Sequence, residues 1–187
     1  MRCFVAIRFP EEVNRELGRH IDYLAGTDAA VRWVKQENLH VTLKFLGEVQ
    51  DDEVQDVHRA LSKVACAPMS LSVQGLGCFP PKGRGRPRVV WAGLEGDVDP
   101  LVALAKDIEQ QVAPLGYPPE QRAFQAHVTI GRVKGSRNLD ALMLAIERRN
   151  PEVRMVSVDI DTFALYQSEL AREGPEYYKV SSYPLLA

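Results

Sequence analysis

His40-Val41-Thr42-Leu43 and His127-Val128-Thr129-Ile130 repeat one pattern (histidine, β-branched, threonine, aliphatic) about half a chain length apart. In a strand, residues two apart share a face, so His40 projects with Thr42 and His127 with Thr129. Val41, Leu43, Phe45, Val128 and Ile130 then face the opposite way and suit a core. Imidazole titrates near neutral pH, so of two rings in one cleft one can take a proton while the other gives one. The threonine hydroxyls can donate to the non-bridging oxygens of a phosphate. A single His-x-Thr says little, because both residue types sit comfortably on half-buried strands. Two copies with the same aliphatic positions are hard to attribute to chance. Zinc is the sharper rival, since imidazole is a common ligand, but a third ligand is lacking. His20 and His58 fall on helical segments as solvent-side residues, and no cysteine or carboxylate has ligand spacing. Acid–base chemistry on a phosphate ester, without metal or other cofactor, is the expectation.

Around the two motifs stand several weaker candidates. Lys44 shares the parity of His40 and Thr42, which puts it at the rim of the same face. Arg132 lies at odd spacing from His127, and alternation turns it away from the cleft unless the flexible Gly131 introduces a bulge. It is therefore carried as a substrate-binding candidate, with a plain surface cation equally open. Lys82, Arg84, Arg86 and Arg88, interleaved with Gly83, Gly85 and Pro87, make the one concentrated basic segment. Each residue alone fits a solvated hairpin loop, yet together they could steer a phosphate backbone toward the cleft. Phe9, Trp33, Phe45, Phe79 and Trp91 are expected mostly in the core, with one or two available to stack a base.

The elements that position these residues follow from periodicity. Met1–Phe9 reads as a buried strand stopped by Pro10. Glu11–Ala25 places Val13, Leu17, Ile21 and Leu24 on one helical stripe. Val31–Val34 and His40–Leu46 read as strands, and Asp51 as the cap of a helix reaching about Ala65. Met69–Phe79 and Arg88–Leu94 are strands joined by the loop PPKGRGRP. Asp99-Pro100 marks a helix start, with Leu101, Leu104, Ala105, Ile108 and Val112 inward. Ala126–Arg132 is a strand, Leu139–Arg149 a helix, Val153–Tyr166 one long strand and Tyr177–Tyr183 the last. Strands and helices are mixed rather than regularly alternating, and a strand motif repeated in each half suggests two similar facing lobes.

Composition bounds the function. A chain of 187 residues fits one domain or two small lobes. With 23 Lys and Arg against 25 Asp and Glu the net charge is −2, which argues against a protein that coats long duplexes. Three cysteines with no CxxC spacing suit a reduced, cytoplasmic chain. No apolar run approaches a signal peptide or a membrane span.

At the paired motifs the chain resembles the two-histidine phosphoesterase superfamily, specifically its RNA 2′,3′-cyclic phosphodiesterases, also called 2′-5′ RNA ligases. The resemblance extends over MRCFVAIRFP, VRWVKQENLHVTLKFLGEV, PRVVWAGL, AHVTIGRVK and LYQSELAREGPEYYKV, nearly the whole chain. It implies an α+β fold over residues 1–187, a single bilobal domain. Each of its two pseudo-symmetric lobes has an antiparallel sheet and outer helices, with the active-site groove between them. It implies hydrolysis of RNA 2′,3′-cyclic phosphate ends to 2′-phosphates, with no cofactor. His40 would be the proton donor, His127 the acceptor, and Thr42 and Thr129 the phosphate contacts. The alternatives are 2′-5′ RNA ligation or 2′-5′ oligonucleotide cleavage at the same site, and a non-catalytic RNA-end binding module. The expected partner is RNA with a cyclic end, or a cyclic nucleotide, met by a monomer with no membrane association.

Overall fold

The computed structural model describes residues 1–186. In chain order its elements are β1 (Arg2–Ile7), α1 (Glu11–Ala25), β2 (Val31–Trp33), β3 (Val41–Glu48), α2 (Val54–Leu61), β4 (Met69–Phe79) and β5 (Val89–Gly96). There follow α3 (Val98–Val112), β6 (His127–Val133), α4 (Leu139–Arg149), β7 (Val158–Ile160), β8 (Thr162–Ala171) and β9 (Gly174–Pro184). The strands form two sheets, ordered β3-β1-β8-β9 and β2-β6-β5-β4-β7, antiparallel throughout.

Each helix buries the stripe that its periodicity predicts. On α1 these are Val13, Leu17, Ile21 and Leu24, and Glu11 and Glu12 in its first turn complement the helix dipole. On α3 they are Leu101, Leu104, Ala105, Ile108 and Val112. Helices α2 and α3 pack together, with α3 against β3 of the first sheet; α1 and α4 pack together against β2 and β4 of the second. The halves are therefore interleaved. Helix α1 comes from the first half yet covers the second sheet, whereas β8 and β9 come from the second half and complete the first. A single continuous apolar cluster lies beneath the helices. A smaller one, Phe4, Ala6, Ala164 and Tyr166 with Tyr177 beside it, lies on the other face of the first sheet.

Several boundaries differ from expectation, most of all at α2, at α3 and in the strand after α4. Helix α2 is shorter at both ends: the turn before it is closed by Glu53 Oε2 accepting the Gln50 N–H at 2.9 Å, not by Asp51. Beyond Ser62 the chain leaves the helix, and the Ala65 N–H donates instead to Asp107 on α3 at 3.2 Å. Helix α3 starts at Val98, two residues early, while the Asp97 carboxylate accepts the Ser70 N–H at 2.8 Å rather than capping its own helix. The long strand expected over Val153–Tyr166 is two strands. Around Asp161 the chain passes from the second sheet (β7) to the first (β8), a change of partner that local alternation does not reveal.

Candidate active site

Both histidines stand where a strand of one lobe approaches a strand of the other, His40 immediately before β3 and His127 at the start of β6. Each ring is held alike. His40 Nδ1 lies 2.7 Å from the Asn38 carbonyl and His127 Nδ1 lies 2.7 Å from the Gln125 carbonyl, two residues upstream in each case. A carbonyl only accepts, so Nδ1 carries the proton in both rings, and Nε2 is the nitrogen free for chemistry. His40 Nε2 meets the Thr42 hydroxyl at 2.9 Å. Asn38 itself is buried and its side-chain amide donates to Pro175 O at 2.8 Å, which ties the carbonyl that orients His40 to the start of β9.

A bulge in each catalytic strand decides which further residues share this face. Along β1, Val5 pairs with Lys44 and Ala6 with Thr42, so Leu43 is the extra residue. Along β5, Val90 pairs with Gly131 and Trp91 with Thr129, so Ile130 is extra. Both insertions fall three residues after the histidine, and both flip the alternation that follows. Arg132 is thereby returned to the face of His127 and Thr129, as expected of a bulge at Gly131. Gly131 is also where Trp33 presses closest: an added Cβ would come within 2.8 Å of the Trp33 ring.

The same device overturns two expectations in the first motif. Lys44 does not rim the cleft. It is turned into the protein, 3% exposed, where its ammonium donates to Pro118 O at 2.6 Å and meets Glu120 at 3.3 Å and Glu109 at 3.4 Å. Phe45, expected in the core, takes the position that Arg132 holds in the other lobe and is 59% exposed. It pairs with Phe4 across the strands, with ring centroids 6.3 Å apart. His20 is corrected as well. It is buried between α1 and α4, where its Nδ1 accepts from Arg149 Nε at 2.9 Å. His58 is exposed, as expected, and bonds Tyr183.

Aromatic rings wall the two imidazoles. Phe4 lies 5.0 Å and Tyr177 5.4 Å from His40, and Phe79 stands edge-on to His127 at 5.2 Å. Burial is the chief reason that His40 is pushed down to about 4; the Asn38 hydrogen bond opposes it, while Arg8, Arg132 and His127 add to it. His127 is lowered too, first by burial and further by Arg132, against its bond to Gln125. Two guanidiniums therefore act on this small volume, and the site disfavours imidazolium while favouring an anion. Phe79 was named from sequence among the core or base-stacking rings, whereas Arg8, whose guanidinium lies 4.8 Å from the Tyr166 ring, and the rings of Phe4 and Tyr177 were not singled out. Their signal was faint: Arg8 directly follows an apolar strand, and Tyr177 belongs to the closing segment quoted for the resemblance. Among the described residues no three His, Cys, Asp or Glu side chains gather closely enough to hold a metal ion.

Comparison with known proteins places this geometry. The model of the LigT-like phosphoesterases matches residues 7–91 and again 94–177, one match for each His-x-Thr motif. An RNA 2′,3′-cyclic phosphodiesterase of Aeropyrum pernix is 36% identical over 161 residues, 86% of this chain and 90% of that protein. One from Archaeoglobus fulgidus is 33% identical over 95% of this chain and 96% of its own. Among solved structures, TT0787 of Thermus thermophilus superposes with a TM-score of 0.80 at 28% identity, covering 99% of this chain and 98% of that one. Escherichia coli LigT complexed with 3′-AMP gives 0.75 at 26%, covering 98% and 97%.

Proposed function

This chain belongs to the LigT-like phosphoesterase family, and from that membership we propose that it opens 2′,3′-cyclic phosphate ends of RNA, with His40 and His127 as its proton-transfer pair. The observation that carries the reading is the matched setting of the two rings. Each Nδ1–H is bound to a carbonyl, which leaves Nε2 as the reacting nitrogen in both rings, His40 Nε2 meeting the Thr42 hydroxyl, with Arg8 and Arg132 near.

In this mechanism neutral His127 Nε2 removes a proton from water as the water oxygen attacks phosphorus in line. The P–O3′ bond breaks, protonated His40 Nε2 gives its proton to O3′, and the phosphate stays on O2′ as a monoester. The donor and acceptor assignments come from the resemblance, because the two settings are nearly alike. Thr42, Thr129, Arg132 and Arg8 hold the non-bridging oxygens, so catalysis is mainly positioning and electrostatic stabilisation. Ring strain in the cyclic ester makes it reactive enough for a site that uses proton transfer alone.

The test is incubation with 2′,3′-cyclic mononucleotides in excess chelator, with the product identified as the 2′- or 3′-phosphate. Turnover to the 2′-phosphate is expected to survive chelation. His40→Ala and His127→Ala should each lower kcat by at least the roughly 100-fold typical of a lost acid or base. A 3′-phosphate product, or a folded His variant with near-normal turnover, would refute the mechanism. Adding an RNA with a 5′-hydroxyl to the same assay distinguishes hydrolysis from joining.

A further inference from the structure

The connection from β4 to β5 begins and ends at the site. It leaves from Phe79, whose ring stands against His127 at 5.2 Å, and returns at Val89, directly opposite Arg132. It is a defined turn: the Arg88 N–H donates to Phe79 O at 2.8 Å and the Arg84 N–H to Pro81 O at 3.0 Å. Lys82 is spent, because its ammonium pairs with Glu147 on α4 and tacks the near arm of the turn to that helix. Arg84, Arg86 and Arg88 are exposed, and none makes an ion pair or side-chain hydrogen bond among the described residues. No acidic residue occurs between Asp56 and Glu95, in a chain whose net charge is −2.

Resting on the reading of the site as one for RNA ends, we propose that Arg84, Arg86 and Arg88 bind the phosphodiesters of the RNA strand immediately 5′ to the cyclic end. Three guanidiniums at alternate positions of one turn that itself carries no acidic residue, beside a site that already draws an anion, match the repeating charge of a single strand. A cyclic end is the 3′ terminus, so the rest of the strand must leave the cleft. This turn carries unpaired cations and joins directly to Phe79 and, through Val89, to the strand position opposite Arg132. The sequence expectation of four steering cations is thereby narrowed to three.

The test uses the full chain with Arg84, Arg86 and Arg88 all replaced by Gln, against 2′,3′-cyclic AMP and a ten-nucleotide RNA with a cyclic end. For the RNA, KM should rise about tenfold near physiological salt, and its log–log salt slope should shrink by about 2, near 0.7 for each of three lost phosphate contacts. For the mononucleotide, kcat and KM should stay within about twofold, since it does not reach the turn. Unchanged RNA values leave the turn a solvated hairpin and overturn the proposal; equal losses on both substrates place these cations at the reacting phosphate and overturn it too. Fluorescence anisotropy with the same RNA reads affinity without turnover. Should wild type cleave neither substrate, the function reading fails, while a weaker RNA Kd in the variant still upholds the turn and an unchanged Kd rejects it.

Discussion

Burial lowers the pKa of His40, yet the proposed mechanism needs it protonated when substrate is bound. The phosphate resolves this. An anion placed between Arg8, Arg132 and the imidazoles offsets the guanidiniums and favours the charged ring, so phosphate binding should draw in a proton. Calorimetry of 2′-AMP binding near pH 6, repeated in buffers of different ionisation enthalpy, should report proton uptake, and His40→Ala should lose most of it. Binding without proton exchange would remove the acid role from His40. Phe45 is the second residue with a consequence at this scale. Exposed on the cleft face and joined to His40 through Phe4, whose ring lies 6.3 Å from Phe45 and 5.0 Å from His40, it is placed to take a base on its ring. Phe45→Ala should raise KM for cyclic nucleotides about tenfold, the low end of 1–3 kcal/mol per stacked base, with little change in kcat. An equal fall in kcat with KM unchanged would show that Phe45 shapes the catalytic strand instead.

At the scale of elements, the strand positions and the parity of His40, Thr42, His127 and Thr129 were legible from sequence, because alternation of apolar and polar residues is a local signal. The two bulges were only half legible. Gly131 flagged one, and nothing local flagged the other, so Lys44 and Phe45 were each assigned the wrong face. A bulge inserts one residue and inverts the parity of all that follow, and its cause lies in the register with a neighbouring strand rather than in the strand itself. Arg8, Phe4 and Tyr177 reach the site from β1 and β9 by the same kind of long-range pairing. Lys44 gives the test. Its ammonium joins β3 to Glu109 on α3 and to the 118–120 segment, where the Glu120 N–H also donates to Glu109 at 2.8 Å. Lys44→Met would leave the part-buried Glu109 carboxylate and the Pro118 carbonyl without their cation, and should cost on the order of 3 kcal/mol. Urea melts with an unchanged slope and a lowered midpoint are the expected record; a midpoint equal to wild type would mean that the buried ammonium contributes nothing net.

For the whole molecule, three histidines share one direction. Burial lowers His20, with Arg149 adding to the effect, and it lowers His40 and His127 as well. Each folded value lies below the unfolded one, so stability is fully present above the ordinary histidine range, about 6.5. It is lost as pH falls through that value toward the folded ones, because the unfolded chain binds more protons there. The melting temperature should therefore drop between pH 7 and pH 5, and His20→Gln, which keeps an acceptor for Arg149, should make that drop shallower. An equally steep fall in the variant would assign the acid sensitivity to other groups. The burial of His20 was legible from its own helix, where it falls seven residues after Val13 and three after Leu17 on the apolar stripe; its partner Arg149 depends on α4, contributed by the other half.

That exchange of layers between the halves bears on how two like residues came to differ. With α1 covering the second sheet and β8 and β9 completing the first, neither half closes around a core by itself. Two separate, identical half-chains would have to trade these pieces as a swapped dimer, and symmetry would make their imidazoles indistinguishable. Covalent joining lifts that equivalence. One histidine can acquire a threonine partner and the close company of Phe4 and Tyr177, while its twin keeps a barer setting beside Phe79. A division of labour between donor and acceptor thus becomes something that local substitutions can tune on one side without disturbing the other.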